Sequence, residues 1–117
     1  MARRNHSPSL SLRVNLGTGS AFGPGKAALL ELIRDTGSIA AAGRRMKMSY
    51  TRAWGLVSDM NDDFAAPLVQ SAKGGSERGG AALTPLGVEV LKRYRHMQSA
   101  AQRASAADLK ALLAKLR

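Results

Sequence analysis

The stretch that decides the fold is residues 38–60, SIAAAGRRMKMSYTRAWGLVSDM. Ser38 can cap an alanine-rich first half, and Ser49 can cap a second half that runs from Tyr50 to about Asn61. Apolar residues recur in that second half at spacings of four and three, the period of an amphipathic helix: Ala53, Val57 and Met60. Two short helices joined by a tight turn form a helix-turn-helix, which is the unit we predict here.

The same stretch is basic and contains no acid between Asp35 and Asp59. The 117-residue chain has 18 Lys and Arg against 8 Asp and Glu, a net charge of +10, which favours a polyanion such as nucleic acid as partner. Polar residues at the start of a second helix can reach base edges in the major groove. The candidate DNA-binding residues of this unit are Arg44, Arg45, Lys47, Ser49, Tyr50, Thr51 and Arg52. For Arg52, base reading and phosphate contact both remain open.

On the N-terminal side, residues 1–8 are interpreted as a flexible tail. Apolar and polar residues then alternate from Ser9 to Leu16, which predicts a strand with one buried face. Glycine-rich breakers follow, and Lys26 to Asp35 has the apolar spacing of a helix.

On the C-terminal side, two short apolar runs at 67–71 and 81–83 flank a glycine-rich basic loop. They predict a hairpin, with Lys73 and Arg78 of its loop as further DNA-binding candidates. Thr84-Pro85 then begins a helix that we expect to reach about Arg103. Residues at four-three spacing predict a dimer seam along it: Val90, Tyr94, Met97, Ala101 and Ala104. A capping-box pattern predicts a second helix from about Ser105.

The order of these motifs resembles the winged-helix DNA-binding domain of ModE-type molybdate-responsive regulators, which are related to the reader domains of LysR-type regulators. The likeness covers roughly residues 9–104. The matching segments are Gly23-Pro24-Gly25-Lys26, Thr36-Gly37-Ser38-Ile39, Met48-Ser49-Tyr50-Thr51-Arg52-Ala53-Trp54, Lys73-Gly74-Gly75 and Gly79-Gly80-Ala81-Ala82-Leu83-Thr84.

The resemblance implies a dimeric bacterial regulator whose recognition helix begins at Ser49. The expected fold is mainly α with small β: a winged helix-turn-helix with an N-terminal strand, a wing hairpin and C-terminal dimerisation helices. We divide the chain into a tail at 1–8, a DNA-binding domain at 9–84 and C-terminal helices at 85–117. Regulators of this family that sense molybdate use C-terminal barrel domains. The last segment here is predicted to be helical, so direct molybdate binding is not transferred to this chain.

Several function classes are excluded or disfavoured. The absence of cysteine excludes disulfides and thiolate zinc sites, and His6 and His96 have no companions at metal-ligand spacing. We expect no catalytic set, metal or cofactor, no membrane segment, and a cytoplasmic, non-enzymatic protein. Trp54 is interpreted as a packing residue.

The leading hypothesis is a homodimeric, sequence-specific regulator of transcription that binds a pseudo-palindromic site on double-stranded DNA. A non-specific architectural DNA-binding protein is one alternative. A helix-turn-helix that serves as a protein-interaction module is the other.

Overall fold

The structure is a computed structural model that describes residues 8–72 and 80–117. The predicted tail at 1–8, apart from Pro8, and the loop residues Lys73 and Arg78 lie outside these ranges. The described residues form four helices and four short strands, in this order: β1 (Val14–Asn15), β2 (Ala21–Phe22), α1 (Pro24–Thr36), α2 (Ile39–Arg45), α3 (Tyr50–Asp63), β3 (Val69–Ser71), β4 (Ala81–Leu83) and α4 (Pro85–Leu113). The predicted class, mainly α with small β, is confirmed.

The helix-turn-helix is formed by α2 and α3, and both predicted caps are present. The Ser38 hydroxyl accepts the amide hydrogen of Ala41 at 3.0 Å, and the Ser49 hydroxyl accepts that of Arg52 at 3.0 Å. Each bond satisfies an amide that has no partner within its helix, so each serine sets where its helix begins.

The turn between the two helices depends on one residue in the left-handed conformation. Lys47 has a φ of 60°, and the amide of Met48 donates to the carbonyl of Gly43 at 3.0 Å. This is the hydrogen-bonding pattern of a Schellman cap, in which a residue with positive φ ends a helix sharply. A Cβ on Gly43 would lie 3.0 Å from the Cβ of Ala53, so the glycine lets α3 cross close to α2.

The core lies beneath this unit. Its largest fully buried side chains come from α1, α3 and the segment before β3: Leu29, Leu30, Ile33, Val57, Met60 and Leu68. Removing such side chains from water is the main stabilising contribution in a domain of this size. The core thereby holds α3 with one face buried and the rest of its surface outward.

The N-terminal segment forms a shorter ladder than predicted. Only Val14 and Asn15 pair, with Phe22 and Ala21, because Gly23 and Pro24 already begin α1. The predicted alternation is still visible: the apolar residues from position 10 to 16 are half-buried and the polar ones exposed. The hairpin is fixed to α4, since the Tyr94 hydroxyl donates to the Leu12 carbonyl at 2.8 Å.

The β3–β4 hairpin is fixed to the body at both strands. Asn61 on α3 accepts the amides of Leu68 and Val69 and donates to the Val69 carbonyl, at 2.8, 3.1 and 3.2 Å. On the other strand, Ala81 donates to the Gly37 carbonyl at 2.9 Å. These contacts hold the base of the predicted wing beside α3.

The C-terminal segment is one helix, which corrects the prediction of a second helix from Ser105. Instead of capping a new helix, the Ser105 hydroxyl donates to the Ala101 carbonyl one turn back, at 2.7 Å. No Gly or Pro occurs after Gly87, so nothing in the sequence interrupts the backbone hydrogen bonding of α4.

Only the first third of α4 packs on the core. Its buried residues are Gly87, Leu91 and Tyr94. Just beyond them, the Arg95 guanidinium pairs with the Glu31 carboxylate of α1 through two bonds, at 2.7 and 2.9 Å. The hydrogen bond from Arg95 holds the pKa of the Glu31 carboxyl below its usual value. Within residues 8–72 and 80–117, no helix is both long and apolar enough to cross a bilayer.

Candidate nucleic-acid interface

Helix α3, the predicted recognition helix, has an outer surface made of a central strip and two flanks. Ala53, Val57 and Met60 face the core. Since successive residues are rotated by about 100° around an α-helix, the side directly opposite the core carries an outer strip of small or polar residues. The outer strip consists of Thr51, Gly55, Ser58 and Asp62, all of them exposed.

All seven candidate residues of the helix-turn-helix lie on the surface, in α2, the turn and the start of α3: Arg44, Arg45, Lys47, Ser49, Tyr50, Thr51 and Arg52. Their exposure fits the predicted role without testing it.

The cations of this unit are not neutralised by carboxylates of the described residues. The ion pairs found in those ranges are Arg34–Asp35, Arg93–Glu89 and Arg95–Glu31, all outside the helix-turn-helix. Four positive charges therefore point to solvent around α2 and α3. Such a surface attracts phosphates over a distance of about a Debye length, ~10 Å at 0.1 M salt.

One side of the outer strip is formed by Tyr50 and Trp54, which we call the aromatic flank. Tyr50 is 56% exposed and Trp54 is 44% exposed. The Trp54 indole N–H donates to the Tyr50 hydroxyl, and the two rings meet edge to face with centroids 6.5 Å apart. This corrects the interpretation of Trp54 as a packing residue: position 54 is rotated by about 100° from the buried Ala53.

The aromatic flank borders a groove of about 530 Å³ between α3 and the β3–β4 hairpin. Gln70 and Ser71 of β3 and Ser38 at the start of α2 also line it. The groove therefore combines an aromatic wall with polar hydrogen-bonding groups.

The opposite side of the outer strip borders a second groove, also of about 530 Å³, between α3, the β1–β2 hairpin and the start of α1. Arg13, Lys26 and Arg52 line it, and we call these three residues the basic flank. The Lys26 ammonium donates to the Ala21 carbonyl at 2.7 Å, which holds this cation at the groove. Among the described residues that line this groove, none is acidic.

Arg13 and Lys26 were absent from the sequence-based candidates. Arg13 is one polar position of an alternating segment, and Lys26 lies in the first turn of α1. Lys26 belongs to a segment that resembles ModE-type regulators, but neither residue has a local signal of DNA contact, because only the tertiary fold brings residues 13, 26 and 52 to one groove. Among the described residues, no three His, Asp or Glu side chains lie close enough together to hold a metal ion.

Comparison with known proteins gives several relatives. The molybdenum-pterin-binding protein MopB of Rhodobacter capsulatus is 47% identical over 77 residues, which are 66% of this chain and 28% of MopB. The molybdenum transport protein ModE of Azotobacter vinelandii is 35% identical over 88 residues, 74% of this chain and 33% of that protein. This part of the chain is similar to the ModE and Mop proteins, which confirms the resemblance to ModE-type regulators. The DNA-binding transcriptional dual regulator ModE of Escherichia coli K12 is 33% identical over 81 residues, 69% of this chain and 31% of that protein.

The chain thus spans about a third of the length of the ModE relatives it matches, and no family model matches it. A crystal structure of a CbnR_DBD–DNA complex superimposes with a TM-score of 0.58 at 20% identity, covering 74% of this chain and 94% of that one. At this identity the likeness shows the fold, a winged helix-turn-helix.

Proposed function

We propose that this chain binds double-stranded DNA sequence-specifically and regulates transcription, with the N-terminal half of α3 in the major groove. The observation that carries the proposal is the exposed start of α3, surrounded by cations that no described carboxylate neutralises. An α-helix with its side chains is about 10–12 Å wide and the major groove about 12 Å, so the N-terminal half of α3 fits with Thr51 and Gly55 of the outer strip against the bases.

In this arrangement each group has a distinct role. Tyr50 and Thr51 lie in the first turn of α3, where side chains come nearest to base edges. Arg44, Arg45 and Lys47 lie at the end of α2 and in the turn, where cations can contact phosphates. Lys73 and Arg78 are proposed to contact the DNA backbone from the loop between β3 and β4.

We further propose that α4 joins two copies of the chain into a homodimer. The helix has 29 residues, about 44 Å, and most of this length lies beyond its last core residue, Tyr94. Along this part Met97 and Leu112 are 47% and 65% exposed, and Leu116, just past the end of α4, is 68% exposed. Apolar side chains along an extended helix favour burial against a partner helix, and two-fold symmetry then requires a pseudo-palindromic DNA site. The proposed place of action is the bacterial cytoplasm, where chromosomal DNA lies.

Selection from a random duplex library tests both parts of this function. The chain is expected to enrich one motif, arranged as two inverted half-sites about one helical turn apart. Leu112→Glu should lower the sedimentation-derived mass to that of a monomer and leave only single half-sites enriched. Ala111→Glu, an exposed neighbour on the same helix, adds the same single negative charge and is the matched control. If no motif is enriched although duplex DNA is bound, a non-specific architectural protein is favoured. If no duplex is bound even at low salt, a protein-interaction module is favoured.

A further inference from the structure

The basic flank brings together three cations that the sequence places far apart. Arg13 comes from the N-terminal hairpin segment, Lys26 from α1 and Arg52 from α3, and all three line one groove. Like charges at one groove repel each other, and an anion bound there would relieve that repulsion. None of the three makes an ion pair within residues 8–72 and 80–117.

We propose that Arg13, Lys26 and Arg52 form a clamp for the phosphates of one DNA strand, on the hairpin side of α3. The inference rests on the proposed DNA binding and deepens it. With α3 filling the major groove, its two sides face the two sugar–phosphate backbones, and Arg52 lies on the side that meets the groove. Arg13 and Lys26 extend this cationic surface outward from the helix onto the hairpin and α1.

The chemistry of the groove matches a phosphate backbone better than a base edge. Two of the three cations lie outside α3, where they cannot follow it into the major groove. The Lys26 ammonium uses one N–H for the Ala21 carbonyl, which leaves two donors. Arg52 is assigned to the same clamp, so its role is to contact phosphate and not to read a base.

A series of salt titrations with random duplex DNA tests the clamp. The variants are Arg13→Ala, Lys26→Met and Arg52→Ala, and the matched control is Lys92→Met, which removes one exposed charge from α4. Each clamp variant should reduce the slope of log K against log salt by about 0.9, the value for one phosphate contact. Lys92→Met should leave the slope unchanged, and Arg13→Lys should keep the wild-type slope.

A second readout uses the selected site and its single-base variants. Loss of a phosphate contact weakens binding to all sequences equally, so each clamp variant should lower the affinity for specific and random DNA by the same factor, roughly threefold to tenfold. If Arg52→Ala instead relaxes preference at one base pair, its assignment to the clamp is wrong.

The two proposals fail separately. Clamp variants that match Lys92→Met in slope would overturn the clamp and leave sequence-specific binding intact. If the wild-type chain has no preferred site but the clamp variants still reduce the salt slope, the proposed regulator is overturned and the clamp is kept. Melting curves for each variant confirm that it is folded, which is expected because Arg13 and Arg52 are exposed and Lys26 lies at the surface groove.

Discussion

The two flanks of α3 differ in how they are built and in how they attract a partner. The aromatic flank is local: Tyr50 and Trp54 are one helical turn apart and hold each other through a hydrogen bond and an edge-to-face contact. The basic flank is assembled from three distant segments whose charges repel. The first supplies a short-range surface that salt hardly affects, and the second supplies a long-range attraction that salt screens.

The outer surface of α3 therefore depends on more than the helix itself. Its aromatic side depends on the β3–β4 hairpin, which Asn61 fixes, and its basic side depends on the N-terminal hairpin, which Tyr94 fixes. Both hairpins are in turn positioned by α4, which donates the Tyr94 bond and packs against Leu68. Substitutions that remove these contacts should therefore differ in the size of their effect.

The largest effect is expected from Gly87→Ala, which disturbs the support that both flanks share. A Cβ at this position would lie 2.2 Å from the Leu68 carbonyl oxygen, so α4 must move away from the segment before β3. We expect a loss of about 3 kcal/mol or more of unfolding free energy, measured by denaturant titration. The control is Gly55→Ala on α3, where a Cβ meets nothing within 4 Å and should stabilise the helix by about 0.5–1 kcal/mol. Equal unfolding free energies for Gly87→Ala and Gly55→Ala would contradict this account.

Asn61→Ala should damage the aromatic flank while leaving the basic flank in place. It removes the partners of two backbone amides and one carbonyl, so we expect a loss of about 2 kcal/mol in unfolding free energy. Hydrogen exchange should speed up at Val69 and not at Asn15. Asn61→Asp keeps both acceptor bonds and loses the donor. Its unfolding free energy should therefore lie between those of the wild type and the alanine variant.

Trp54→Ala should weaken binding to DNA without changing its salt dependence. We propose that the exposed Trp54 ring packs against DNA beside α3, and we expect its removal to cost about 1–2 kcal/mol in binding free energy. The salt slope should match that of the wild type, in contrast to the three clamp variants. Trp54→Phe retains the ring but not the indole N–H, so it separates packing from the bond to Tyr50. A changed salt slope for Trp54→Ala would mean that both flanks attract DNA through charge.

The smallest effect concerns the pair between Glu31 and Arg95, which orients α4. Arg95 lowers the folded-state pKa of Glu31, so the pair stabilises the fold above the unfolded pKa of 4.5 and loses this contribution as pH falls through the folded value. Both side chains are about one-third exposed, so water screens the pair and we expect less than about 1 kcal/mol. The unfolding free energies of wild type and Glu31→Gln should differ at pH 7, and the difference should shrink as the solution is acidified below the unfolded pKa of Glu31.

Local signals predicted most of the fold from the sequence. Ser38, Ser49 and Thr84 each cap the helix that follows, because capping depends on one side chain and the next few amides. The same local reasoning failed at Ser105, whose hydroxyl bonds back to Ala101 inside a continuous helix. A serine that resembles a cap can serve either purpose, and the absence of a nearby breaker decides between them.

The candidate site was predictable where it is continuous along the chain. The helix-turn-helix residues follow from spacing, caps and the acid-free stretch around Arg44 to Arg52. The exposure of Trp54 could have been predicted from its angle relative to Ala53. The contribution of Arg13 and Lys26 could not have been predicted, because it depends on where the N-terminal hairpin packs.

The most direct test of the central claim is the affinity ratio between the selected site and a scrambled duplex, measured by fluorescence anisotropy at about 0.15 M salt and repeated across a salt series. If the start of α3 reads base edges, the ratio should reach about 10³ or more. Thr51→Ala should lower the ratio, and the loss of preference should be confined to defined base pairs of the site. A ratio near one at every salt concentration, for wild type and variant alike, would contradict sequence-specific recognition by this helix.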